Sequence, residues 1–139
     1  MDNSDLYQIA EQDHIGVFAF SLPETQSMST MLPDGYMAIG IDDRAMTSTA
    51  EERVHLAHEL GHCMTGSFYN PYSPLDIREK HEYRADRWAI QRLMPQDQVI
   101  DAVKHGITEV WELAELFGVT EQLVRKAVDY YKEQQLLQR

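Results

Sequence analysis

The spacing of apolar residues changes near residue 47 of this chain of 139 residues, and that change limits the folds open to it. From about residue 17 up to it the pattern reads as half-buried strands; after it the pattern follows the helical period. Val17-Phe-Ala-Phe-Ser-Leu22 reads as a strand stopped by Pro23, and Ser29 to Leu32 as a shorter one. Pro33-Asp34-Gly35 is a turn signal, and across Tyr36-Met-Ala-Ile-Gly-Ile-Asp42 the residues Met37, Ile39 and Ile41 share one face. That last run suits either an edge strand able to pair with an extended peptide or the centre of the sheet. A short helix over Leu6 to Gln12 precedes the strands. The expected fold class is α+β, a small antiparallel sheet followed by a helical half.

Helix ends are marked as well. Ser48 with Glu51, or Thr49 with Glu52, fits a capping box, and Gly66 stands where a helix should stop. A loop over Ser67 to Asp76 leads to a helix from Ile77 to Met94, closed by Pro95. Three shorter helices follow, Pro95 to His105, Thr108 to Phe117 and Glu121 to Leu137. The chain has the length of one domain. It divides into a sheet-rich part (1–46), two longer helices (47–95) and a helical tail (96–139).

Inside the capped helix lies His58-Glu59-Leu60-Gly61-His62, an H-E-x-x-H pattern. At 100° per residue the two histidines stand about 40° apart and one turn along, so both rings can reach one ion. Zinc takes imidazole nitrogen and, in a catalytic site, keeps a position open for water. Glu59 lies roughly 60° round from His62, beside the ion, where a carboxylate can take a proton from that water. With six histidines in the chain, coincidence yields the pattern in roughly 2% of such sequences.

A third ligand has to come from another element. His55 shares the stripe with His58 and His62 but is a further turn away. On the next helix Glu82 and Asp86 fall on one face at i and i+4, and that face also carries Ala85, Ala89 and Leu93. Small residues let a neighbouring helix approach closely, which would bring Glu82 to the metal. Asp86 could then orient a ligand histidine through its second ring nitrogen. Glu79 lies near the same face and is the rival to Glu82.

These residues resemble the gluzincin arrangement, H-E-x-x-H followed by a glutamate and, four residues on, an aspartate. With Glu82-Tyr-Arg-Ala-Asp-Arg-Trp-Ala89, Leu93-Met-Pro95 and Leu113-Ala-Glu-Leu-Phe-Gly-Val-Thr120, the run from about 48 to 125 looks most like the ImmA/IrrE metallopeptidases. The resemblance implies a minimal zincin-like domain with one Zn²⁺ per chain, ligated by His58, His62 and Glu82, with Glu59 as the catalytic base. It also implies limited cleavage of a cytosolic protein, a helix-turn-helix repressor of a phage or mobile element.

Composition narrows the alternatives. The net charge of −11 opposes a phosphate backbone, so no nucleic acid partner is expected. A single cysteine, an acidic N-terminus and the lack of a long apolar run point to a cytoplasmic protein without membrane attachment. Cys63 falls on a stripe with Leu56 and Leu60 and reads as a core thiol. Tyr69 and Tyr72 lie in the loop after the metal helix, where a phenol could steady an oxyanion, although a surface role is the plainer reading. Val110 to Ala127 resembles a helix-turn-helix about Gly118-Val119-Thr120, which makes a DNA-binding regulator the competing function. Residues 96–139 hold eight acidic and five basic side chains, a poor surface for phosphates. A binding module that keeps its metal for structure is a third possibility, but a closed site usually has four protein ligands.

Overall fold

A computed structural model describes residues 2–70 and 72–137. Met1, Pro71, Gln138 and Arg139 lie outside the described residues, and with them the two ends of the expected 1–139 unit and one position of the expected Ser67 to Asp76 loop. The elements are α1 (Ser4–Gln12), β1 (Gly16–Ala19), β2 (Ser27–Met31), β3 (Met37–Ile41), α2 (Thr49–Thr65), α3 (Leu75–Leu93), α4 (Gln96–Lys104), α5 (Val110–Phe117) and α6 (Glu121–Leu137). The fold is α+β, one short helix, three strands and then the remaining helices.

One part of the expected sheet needs correction. The strand order is β1-β3-β2, and the sheet is mixed, not antiparallel. β2 pairs antiparallel to β3 from Ser27↔Ile41 to Met31↔Met37, whereas β1 runs parallel to β3 from Gly16↔Ala38 to Ala19↔Ile41. Burial explains the order. β3 carries Ile39 and Ile41, 0% and 4% exposed, and takes the centre, leaving the serine- and threonine-bearing β2 at an edge. The run Tyr36 to Asp42 is therefore the central strand, and β1 and β2 are the two edge strands. β1 ends at Ala19 instead of Leu22 because the Leu22 N–H turns to the Asp42 carboxylate, 2.9 Å away.

α2 starts at the Ser48 cap, whose Oγ accepts the Glu51 N–H at 3.1 Å. The Glu51 carboxylate reaches one residue further back than a capping box requires and accepts the Thr47 N–H at 2.8 Å. At its far end Gly66 adopts φ 65°, which lets the Ser67 N–H return to the His62 carbonyl at 2.9 Å. Arg53 ties α2 to α1 through a two-pronged pair with Asp5 at 2.8 and 2.9 Å.

The contact that positions everything else lies between α2 and α3. A Cβ placed on Gly61 would fall 2.5 Å from the Ala85 carbonyl oxygen and 2.9 Å from its Cα. Ala85 and Ala89 are fully buried at that seam. Glu82 and Asp86 ride on the same face of α3, so they arrive at α2 with it. The tail helices complete the core through Leu113, Phe117, Val124 and Ala127. Among the described residues no helix is long and apolar enough to cross a membrane.

Gly61→Ala should therefore destabilise the protein despite the helix-favouring replacement. Alanine gains up to about 1 kcal/mol in helix propensity, but overpacking against a backbone costs about 1–3 kcal/mol and cannot be relieved by a rotamer change. Denaturant unfolding of the purified variant measures the balance, and a lowered midpoint is expected.

Candidate metal centre

His58 and His62 project from successive turns of α2 toward Glu82 on α3. The His58 Nε2 lies 2.8 Å from one Glu82 oxygen, and the His62 Nε2 lies 3.1 Å from the other. The two Nε2 atoms are 3.2 Å apart. Four ligands set tetrahedrally at zinc-like bond lengths stand about 3.3 Å from one another, so these spacings suit one small cation. Among the described residues, these three are the His, Cys, Asp or Glu side chains placed to share an ion. Glu79, the rival to Glu82, lies instead on an outer surface with Thr65, Lys80 and Tyr83.

The remaining ring nitrogens decide what the converging atoms can offer. The His58 Nδ1 is 2.8 Å from Asp86 Oδ1, and the His62 Nδ1 is 2.6 Å from the Ser67 carbonyl oxygen. Both partners only accept hydrogen bonds, so each Nδ1 carries its proton and each Nε2 turns a lone pair inward. Two imidazole lone pairs and a carboxylate meeting at this distance repel unless a cation or a proton lies among them. Without a metal, the proton takes that place. Burial alone would depress the His58 pKa, but its hydrogen bonds to Asp86 and Glu82 raise it to about 10. For Glu82, burial works upward and is outweighed by the hydrogen bonds from His58 and His62, which hold the carboxyl well below its usual range. A divalent cation satisfies the same three atoms in place of that proton, and the donor set of two imidazoles and a carboxylate suits zinc.

Glu59 is 6% exposed and lies beside the histidines on α2 without joining the cluster. A cleft of ≈ 630 Å³ opens over the centre, walled by Ser27 to Thr30 of β2, by His55, His58, Glu59 and His62 of α2, and by Phe68, Tyr69 and Glu82. A larger hollow of ≈ 930 Å³ beside α4 and α5 holds no such donor set.

Sequence spacing names His55 and Tyr69 without giving either a place in this site, and it passes over Ser27. Tyr69 donates its hydroxyl to Glu82 at 2.7 Å, and burial together with that bond pushes its pKa up to about 12, so the phenol stays protonated. Its place seven residues after His62 was the available signal. Ser27 bonds to both Glu59 and His55, and no local spacing announces a contact between β2 and α2. Tyr72, by contrast, is 94% exposed and takes no part. Cys63 is buried among the core residues and is not in the ligand cluster.

The family model of the IrrE N-terminal-like domain, peptidase M78, matches residues 10–129. The chain belongs to this peptidase family. No curated protein sequence matches it. Within the IrrE N-terminal-like domain the match takes in all three strands, the last turn of α1 and both helices of the candidate metal centre. Membership supports a peptidase, and the geometry supplies a group of side chains able to hold the metal of a metallopeptidase.

Two outcomes follow from the proton and the cation sharing one place. Because His58 holds its proton up to about pH 10 in the metal-free protein, a metal must displace it at neutral pH. Apparent zinc affinity should rise about tenfold per pH unit between roughly pH 6 and 8, as read by competition with a chelator whose own protonation is known. In the same assay Glu82→Ala should weaken binding at least about tenfold, and Glu79→Ala should leave it unchanged. The opposite order would transfer the ligand to Glu79.

Proposed function

We propose that the protein is a zinc-dependent endopeptidase that makes a limited cut in a cytoplasmic helix-turn-helix repressor of a phage or mobile element. The observation that carries the peptidase chemistry is the convergence of His58, His62 and Glu82 beside the Glu59 carboxylate at the floor of an open cleft. A zinc ion held by the three side chains would polarise the scissile carbonyl and lower the pKa of water. Glu59 takes the proton of the attacking water and delivers it to the departing amine. Asp86 keeps the His58 ring in the ligating orientation, and the Ser67 carbonyl does the same for His62. Tyr69, held protonated, is a donor for the oxyanion at the carbonyl carbon. The free edge of β2 borders the cleft, a setting in which an extended peptide can add as a further strand.

Selectivity for a repressor draws its support from the family resemblance and from the surface. The cleft is open and the domain small, so discrimination needs docking contacts beyond the residues flanking the cut. A DNA-binding role for the tail is the competing reading, and the Gly118 turn between α5 and α6 favours its outline. Two of the α6 cations are already engaged by acids, however: Arg125 with Glu121 at 3.6 Å and Lys126 with Asp86 at 3.5 Å. The acidic balance of the chain argues the same way.

Glu59→Gln separates metal binding from chemistry. The variant should keep a full complement of metal and lose at least about 100-fold in turnover, since a general base is removed and no ligand is. Co-expression with the repressor encoded beside the gene should give discrete fragments that disappear in Glu59→Gln. Equal cutting of unrelated unfolded proteins, with that repressor left whole, would reject the substrate and leave the metal site standing.

A further inference from the structure

Ser27 opens β2 with its side chain toward α2 and is 7% exposed. Its Oγ lies 2.7 Å from Glu59 Oε2 and 3.0 Å from His55 Nδ1. A hydroxyl has a single proton to give, and an ionised carboxylate can only accept. The Ser27 proton therefore goes to Glu59, and the Ser27 oxygen accepts in turn from the His55 Nδ1–H. Burial lowers the His55 pKa despite the nearby Glu59 charge, which agrees with a neutral ring protonated on that nitrogen. The result is a directed chain, His55 to Ser27 to Glu59, crossing from α2 to the sheet and back.

The backbone delivers Ser27 to this position at some cost. Gln26, the residue before it, has φ 65°, a left-handed conformation that residues with a side chain adopt rarely. The loop leading to it is pinned on Asp42. The Asp42 carboxylate accepts the Leu22 N–H, and the Asp42 N–H donates to the Gln26 carbonyl at 2.9 Å. Asp42 itself is 7% exposed. A buried aspartate and an unfavourable torsion are thus spent on placing one serine.

We propose that Ser27, steadied by His55, is the positioning residue for Glu59: it occupies one carboxylate oxygen and fixes the rotation of the group, leaving the other oxygen for the proton of the attacking water. This inference rests on Glu59 being the base. A carboxylate held by a neutral hydroxyl keeps its direction, whereas one free to rotate spends part of its time turned from the reacting atoms.

A test that needs no knowledge of the peptide substrate uses the cobalt(II)-loaded protein titrated with acetohydroxamate, followed by visible absorption. The probe places an oxygen where the attacking water would stand, so its affinity reports how the Glu59 carboxylate is aimed. Ser27→Ala should retain one cobalt per chain and bind the hydroxamate at least about tenfold more weakly, as expected for one hydrogen bond to a charged group. Ser27→Thr, which restores the hydroxyl, should return to within about twofold of the parent. His55→Phe should weaken binding in the same direction by a smaller factor, about two- to threefold. Parent-like affinity in Ser27→Ala alongside weakened binding in Glu59→Gln would overturn the inference alone. Parent-like affinity in Glu59→Gln would instead overturn the role of Glu59. If Ser27→Ala loses its cobalt together with the hydroxamate, the serine belongs to the fold and not to Glu59, and the inference fails.

Discussion

The backbones of α2 and α3 touch at Gly61 and Ala85, and the candidate centre exists because they do. On α2, His58 stands one turn before Gly61 and His62 immediately after it; on α3, Glu82 stands one turn before Ala85 and Asp86 immediately after it. Helix axes separated by ordinary side chains lie about 8–10 Å apart, and a carboxylate on a short stem would then fall short of the opposite imidazoles. Removing the side chain at the crossing point brings the ligand atoms to 2.8–3.2 Å of one another without stretching any of them. The closeness also explains why the motif tolerates a glycine in mid-helix, where it costs about 1 kcal/mol relative to alanine.

Much of this was legible in the sequence because it is written in local spacing. His58 with His62 and Glu82 with Asp86 are each i and i+4 pairs, and the alanines that admit the neighbouring helix share the stripe of the second pair. Strand direction was not legible. Alternation records which face of a strand is buried and says nothing of whether its neighbour runs with or against it, so the parallel pairing of β1 with β3 has no signature in the run from Val17 to Leu22. Nor was the Ser27 to Glu59 contact, which joins residues 32 positions apart in different kinds of element. The same holds for Arg53 and Asp5, a pair set by how α1 is laid across α2. The family match over 10–129 reaches well before the motif-bearing stretch, into the strands.

The tail shows how one local shape can serve different ends. A glycine in the left-handed region followed by a capping threonine turns α5 into α6: Gly118 has φ 67°, and the Thr120 Oγ1 accepts the Leu123 N–H at 3.2 Å. That geometry follows from how helices stop and start, whatever the second helix meets. Here α6 meets α3. Tyr131 donates to the Met94 carbonyl at 2.6 Å, Gln91 donates to the Tyr130 hydroxyl at 3.1 Å, and Lys126 lies 3.5 Å from the Asp86 oxygen that faces away from His58. The tail thereby braces the helix that carries Glu82.

The burial of Cys63 has a chemical consequence for its neighbour in sequence, His62. Desolvation, with the Glu59 charge adding to it, pushes the thiol pKa up to about 12. Peroxides and disulfides react with the thiolate, and a thiol so reluctant to ionise supplies almost none at neutral pH. The one sulfhydryl in the chain is thus chemically quiet although it adjoins a histidine of the candidate centre. Oxidants that would convert an exposed cysteine to sulfenic acid meet instead a buried, protonated sulfur on the helix that carries both histidines.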